Sequence, residues 1–217
     1  MRRGGKEFKI RSSKAVKDMI QLFQYQRLKT FISSKGAFSI ALLWGFAEAT
    51  FFFVVPDMFF CFTALLSPVI GFTHGLVSMF GTILGGFLMY HLAILNPDMM
   101  HRFLLSIPGI PEGMIKEVYA NLQEDGLKAL LIAPMKGIPY KIFAVEAGIM
   151  QIDLTKFFLM TLPSRLQRIF FLCLVVGVVS RIFRKPIERY TQRWCLFYVL
   201  FWISFYCVYA YYVMTKY

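Results

Sequence analysis

The chain has 217 residues, of which 58% are hydrophobic and only 17% charged, with 24 Lys and Arg against 12 Asp and Glu for a net charge of +12. Soluble domains are about 45–50% apolar and about 25% charged, so this composition excludes an ordinary soluble domain and points to lipid as the solvent. The bases crowd two blocks beside apolar segments (Arg2, Arg3, Lys6, Lys9, Arg11, Lys14 and Lys17, then Arg181, Arg184, Lys185, Arg189 and Arg193) with no nucleic-acid motif, which excludes nucleic acid as partner and marks cytoplasmic loops that touch anionic headgroups.

In chain order, residues 1–35 form a basic segment whose Met19, Ile20, Phe23 and Leu28 recur at helical spacing, predicting a helix along the cytoplasmic surface. It lacks the short apolar core and cleavage site of a signal peptide, so insertion is expected through the chain's own apolar segments. Residues 37–72 are almost wholly apolar but interrupted by Pro56-Asp57. Each half is too short for a comfortable span, and the pattern predicts a re-entrant hairpin, because non-helical backbone at membrane depth is allowed where protein or water covers it. Residues 76–95 read as a full span, with Gly81 and Gly85 at the spacing that lets another helix approach closely.

Residues 96–125 are polar, with one short amphipathic surface helix expected over 114–122. Residues 126–150 are apolar again and broken by Pro134 and by Lys136-Gly137-Ile138-Pro139-Tyr140-Lys141, predicting a second re-entrant hairpin. A span over 157–182, a basic loop over 183–193 and an aromatic-rich span over 194–214 complete the chain. Two crossings between the basic clusters put both in the cytoplasm and bring the hairpins in from opposite faces, the pattern of an all-α inverted-repeat transporter.

Several ionisable residues stand inside apolar runs, where function is the default reading. Glu48 lies in Phe46-Ala47-Glu48-Ala49-Thr50 with no neighbouring countercharge, and Asp57 follows the proline of the first break. Glu48 is read as a proton-coupling carboxylate or a structural hydrogen bond at the turn; Asp57 shares these readings, with capping of backbone N–H groups as its alternative. Lys136 and Lys141 flank the second break, Lys141 being the stronger candidate, and either could snorkel to the interface. Glu146 could pair with Lys141 or serve as a second protonatable site. Arg165 and Arg168 fall one helical turn apart and could grip a phosphate in bidentate fashion. Pro56, Gly137, Pro139 and Gly148 are read as structural residues of the hairpin turns. His74, His91 and His101 share no metal-ligand spacing and read as interfacial or loop residues. Cys61, Cys173, Cys195 and Cys207 read as small buried hydrophobes, the aromatic residues of 194–214 as lipid-facing packing, and no cofactor or metal is expected.

The run Phe46-Ala47-Glu48-Ala49-Thr50-Phe51-Phe52-Phe53-Val54-Val55-Pro56-Asp57 with Gly81-Thr82-Ile83-Leu84-Gly85-Gly86 resembles the first half of DedA-type membrane proteins, the VTT or SNARE-associated family. Gly137-Ile138-Pro139-Tyr140-Lys141, Ala147-Gly148, Phe157 and Ser164-Arg165-Leu166-Gln167-Arg168 resemble the second half, in the manner of the YqaA-like branch, over about residues 40–182. The chain departs from the family pattern in keeping only Val55-Pro56-Asp57 of the first turn, in Lys136-Gly137 before Ile-Pro-Tyr-Lys, and in Ser164 where a glycine usually stands. The resemblance implies movement of lipids such as polyprenyl phosphates or phospholipids, linked in some members to the proton gradient. It places Glu48 and Asp57 as the acidic residues of the first hairpin, Lys141 as the base of the second, and Arg165 and Arg168 as the arginines of the following helix.

The expectation is therefore a membrane domain over 36–182 between the basic segment 1–35 and a loop and terminal helix over 183–217. It is expected to be a flippase or scramblase rather than an enzyme, sited in a prokaryotic inner membrane with a cytoplasmic N-terminus. Its partners would be phosphate-bearing lipids and protons, with room for a homo-oligomer. The alternatives are a membrane-embedded lipid-phosphate enzyme, which needs a histidine near the basic residues, and a non-transporting assembly factor.

Overall fold

In the computed structural model, residues 19–132 and 136–217 are described; the expectations for residues 1–18 and for Pro134 fall outside them. The described chain is all-helical, with no strand. Helix α1 (Met19–Ile32) meets α2 (Lys35–Thr50) at a 63° bend, where the Ser34 hydroxyl caps α2 by accepting from the Ala37 N–H at 3.3 Å. Six residues without helical structure separate α2 from α3 (Asp57–Leu66), and α4 (Pro68–Leu95) follows after Ser67 alone. Next come α5 (Pro97–Ser106), α6 (Glu112–Glu124), a short 3₁₀ turn, α7 (Ala129–Ile132) and α8 (Tyr140–Ile149). The chain ends with α9 (Leu154–Ile182), α10 (Arg184–Arg189) and α11 (Thr191–Lys216).

Three of these helices, α4, α9 and α11, have 28, 29 and 26 residues and are apolar enough to cross a membrane. At about 1.5 Å per residue each exceeds the roughly 30 Å hydrocarbon core. The outward faces of α9 and α11 are covered with apolar side chains, among them Phe170, Phe171, Leu174, Phe197 and Val208, an exposure water would penalise and lipid does not. Helix α1 likewise exposes Met19, Ile20 and Phe23 while Tyr25 and Ile32 turn inward.

Helix α4 is the axis of the fold. Ala37, Ala41, Gly45 and Ala49 form a small-residue stripe on α2, and it meets Gly81 and Gly85 of α4 with the two backbones in direct contact. A Cβ added at Gly81 would stand 2.0 Å from the Leu42 carbonyl oxygen, and one at Gly45 2.0 Å from that of Ser78. The pair Gly81/Gly85 is thus a packing device. On the opposite side, Gly148 of α8 lies so close to α4 that a Cβ would approach the Tyr90 carbonyl oxygen to 2.4 Å. Helix α8 is buried from Tyr140 to Gly148, as expected of a segment apolar on all sides.

Several elements differ from the sequence reading. The first apolar segment ends as a helix at Leu66 rather than at 72, and the predicted 76–95 span starts at Pro68. Proline at the first helical position loses only an N–H that would have had no partner there. The polar stretch 96–125 holds two helices instead of one surface helix. Asn96 caps the first by accepting from the Met99 N–H at 3.0 Å. Their apolar residues Met100, Leu104, Met114, Ile115, Val118 and Leu122 are buried in the main core beside α8, because α8 has no lipid-facing side and must be covered. Gly148 lies within α8 rather than at a turn.

The end of α11 is tied to α6 outside the apolar spans. Glu117 accepts from Lys216 Nζ at 2.8 Å and from the Tyr217 hydroxyl at 2.5 Å, with Lys136 Nζ 4.0 Å away. Partial burial raises the pKa of this carboxyl, but the hydrogen bonds from Lys216 and Tyr217 and the charges of Lys216 and Lys136 outweigh it and leave the pKa below the usual glutamate value. A carboxylate whose pKa falls on folding adds stability that is complete above its unfolded pKa and lost as pH falls through the folded one. Acidification through and below the normal glutamate range should therefore lower the unfolding midpoint of the wild type more than that of Glu117→Gln, read by thermal unfolding in detergent at a series of pH values.

Candidate functional site

Described residues of both breaks in the helical chain, 52–55 and 137–139, face the same space as Ser164, Arg165 and Arg168 in the middle of α9. In the first break, between α2 and α3, backbone groups that a helix would satisfy internally are met by side chains from three other helices. Trp44 Nε1 of α2 donates to the Val54 carbonyl oxygen at 3.0 Å. Tyr206 of α11 accepts from the Val55 N–H at 2.9 Å, and Lys141 Nζ of α8 donates to the Phe52 carbonyl oxygen at 2.7 Å. Unhelical backbone among apolar helices persists only with such partners. In the second break, Gly137 takes φ +70°, a left-handed conformation that favours glycine, and its carbonyl oxygen accepts from the Tyr209 hydroxyl at 2.8 Å. Pro139 then opens α8, as Pro56 opens α3.

Helix α9 brings two cations to these breaks. Arg165 Nη2 lies 3.2 Å from Glu48 Oε2, with side chains 10% and 5% exposed. The Arg165 guanidinium also sits 4.6 Å over the Tyr140 ring, and the Tyr140 hydroxyl meets Thr161 Oγ1 at 3.3 Å. Arg168 pairs with Asp57. The environments of the two carboxylates differ. Glu48 stands in the last turn of α2, where the helix dipole disfavours negative charge, so Arg165 has to offset it; Asp57 opens α3, where the dipole favours it. Lys141 is 1% exposed and has no carboxylate in contact among the described residues. Its ammonium keeps donor capacity beyond the Phe52 carbonyl.

Glu48, Lys141, Arg165 and Arg168 line one cavity of about 880 Å³, and Asp57 stands just behind it. The charged groups form one pole. The rest of the wall is chiefly apolar, including Ile107, Ile110, Leu130, Phe143, Trp202 and Val213. Such a chamber matches an amphiphile with an anionic head and a hydrocarbon body.

The structure thus brings together Glu48, Asp57, Lys141, Arg165 and Arg168, five of the seven ionisable residues singled out from sequence. Lys136 is not part of the group, lying exposed near Glu117. Glu146 does not pair with Lys141, which points from another side of α8 to the first break. It accepts instead from His101 of α5, Nε2 to Oε1 at 2.7 Å, with the histidine 41% exposed and the carboxylate 1%. His74 is not interfacial: it is fully buried on α4 against Phe38 of α2 and Phe59 of α3, its Nδ1 3.1 Å from Thr63 Oγ1. Of the cysteines, Cys61 and Cys173 are buried as expected, Cys195 is half-buried, and Cys207 is exposed beside the cavity, because α11 is covered on one face only. The same face makes Trp202, Tyr206 and Tyr209 cavity wall rather than lipid-facing packing.

Sequence reasoning missed Trp44, Tyr140, Ser164, Tyr206 and Tyr209. Ser164, beside Arg165, donates to the Leu130 carbonyl oxygen at 2.6 Å and fastens α9 to α7. A hydroxyl in mid-span needs a partner, and that signal was available at Tyr206 and Tyr209 of α11.

No protein-family model and no solved structure matches the chain. It is similar to an uncharacterized protein of Haemophilus influenzae, 26% identical over 142 residues, which cover 64% of this chain and 73% of that protein.

Proposed function

We propose that the chain is a membrane transporter of phosphate-bearing lipids of the DedA (VTT, SNARE-associated) type, a flippase or scramblase with proton-linked ion pairs. The observation that carries this reading is the cavity with a single charged pole, built where two breaks converge on the arginines of α9. The order helix, break, helix, long helix occurs twice, as α2–α3–α4 and α7–α8–α9. This order supports two re-entrant hairpins; their opposite orientation, an inner membrane and a cytoplasmic N-terminus belong to the same reading through the placing of the basic clusters.

In this reading Lys141 receives the lipid phosphate first, being the cation of the group without a carboxylate partner. Arg165 and Arg168 are held by Glu48 and Asp57. Protonation of a carboxylate releases its arginine to the phosphate, and departure of the lipid lets the ion pair close again. Proton and lipid binding then favour one another, by the same factor in both directions.

The test uses purified protein in liposomes containing head-labelled phospholipid or polyprenyl phosphate and follows its appearance in the opposite leaflet, with and without a pH gradient. Lys141→Met is expected to slow movement at least about tenfold, since a charge-assisted hydrogen bond is worth about 1.5–3 kcal/mol. Glu48→Gln is expected to weaken the pH dependence of the remaining movement, and Glu48→Gln combined with Asp57→Asn to remove it. Wild-type protein that moves neither lipid would refute the reading, and release of inorganic phosphate would favour an enzyme.

A further inference from the structure

Helix α11 is long enough to span a membrane, yet only 11% of its apolar window is buried inside the protein, against 44% for α4. It nevertheless forms a full wall of the cavity, through Val199, Trp202, Ile203, Tyr206, Tyr209 and Val213. The other walls are fixed differently: α2 by its backbone crossing with α4, and α8 and α9 by close packing and the ion pairs. Along its length α11 is fastened by hydroxyl groups on one face. Tyr198 donates to the Met58 carbonyl oxygen at 2.6 Å, Tyr206 accepts from the Val55 N–H at 2.9 Å, and Tyr209 donates to the Gly137 carbonyl oxygen at 2.8 Å. Two of these bonds end on the two breaks, so a single helix bridges both.

We propose that α11 is the lateral gate of the cavity, swinging from the two breaks to admit a lipid from the bilayer, with Tyr206 and Tyr209 as its catches. The inference rests on the reading that the cavity holds a lipid. Single hydrogen bonds are worth about 0.5–1.5 kcal/mol net, so two can be exchanged thermally, whereas the buried ion pairs cannot be given up as cheaply. The exchange is also chemically matched. When Tyr206 withdraws, the Val55 N–H is left as a donor beside Lys141's partner Phe52, and a phosphate oxygen can accept from it. The lipid head thus replaces the catch that it opens. The ties of Lys216 and Tyr217 to Glu117 hold the far end of the helix and serve as the hinge.

The test has two arms, in protein whose four cysteines are replaced by alanine. In the first, spin labels at Leu200, far from the hinge, and Leu105, both exposed, report the distance from α11 to the helical body in nanodiscs. The combined Tyr206→Phe and Tyr209→Phe substitutions are expected to add a longer-distance population, with the open fraction rising roughly two- to tenfold per bond removed. An unchanged distribution would overturn the gate, whatever the transport assay shows. In the second arm, cysteines at Val55 and Tyr206 joined by a short bismaleimide pin α11 to the first break, in place of the catch between them. Lipid movement is then expected to fall about tenfold relative to the unlinked protein, and full speed after linking would also overturn the gate. If the unlinked protein moves no lipid while the distances shift as expected, the transporter reading fails and the gate stands as a motion of the fold.

Discussion

Arg165→Ala is expected to destabilise the protein by about 3–5 kcal/mol, the usual cost of leaving one partner of a buried ion pair without the other. The size follows from the surroundings. Glu48 is 4% exposed, sits at the unfavourable end of the α2 dipole, and has Arg165 as its ion-pair partner at 3.2 Å. The guanidinium also stacks on Tyr140, whose ring packs against Phe157, so the truncation removes apolar cover as well as charge. Adding Glu48→Gln should recover more than half of the loss, because a neutral amide is far easier to hold in that place than an orphan carboxylate. The cycle can be read from reversible unfolding in mixed micelles. A double variant no more stable than Arg165→Ala would show that the arginine acts through packing alone and remove the basis for proton-driven release. Lipid movement should be lost in Arg165→Ala and absent in the double variant too, since restored stability does not restore a phosphate ligand.

The charged pole of this site was legible because such residues are rare in apolar sequence and carry their own alarm. Glu48, Asp57, Lys141, Arg165 and Arg168 could each be singled out without knowing the fold, and helical spacing placed both arginines on one face. Partner choice was not legible. Lys141 and Glu146, five residues apart, invited pairing, but α8 is buried all round and sends one toward the first break and the other toward α5. His101 was passed over because its partner lies 45 positions away, and the burial of His74 depends on a helix that begins eight residues before the predicted span. Periodicity found α9 and α11 but misjudged 96–125, where polar residues hid two stripes of core side chains. A short apolar segment such as α8 needs a cover of this kind, and the sequence does not say which neighbour supplies it.

Gly81→Leu is expected to cost about 3 kcal/mol, at the upper end of overpacking penalties, and to do so without touching a charged group. The crossing of α2 and α4 leaves no room: a Cβ at Gly81 would lie 2.0 Å from the Leu42 carbonyl oxygen and 2.9 Å from the Phe46 nitrogen. Both of these are backbone atoms, which cannot rotate aside, so α2 itself must move. Gly36→Ala on the same helix is the control, since its nearest neighbour would be the Ser34 hydroxyl at 3.6 Å; it should be neutral or stabilise by up to about 1 kcal/mol through helix propensity. Glu48 is carried on α2, three residues beyond Gly45, whose own Cβ would press on Ser78. A displaced α2 therefore lengthens the contact between Glu48 and Arg165, and Gly81→Leu should weaken the Glu48–Arg165 coupling energy in the double-variant cycle as well as the unfolding midpoint. Loss of stability with an undiminished coupling energy would mean that α2 tilts about the site as a pivot. Loss of both would show that backbone contact between α2 and α4 sets the distance at which the ion pair closes.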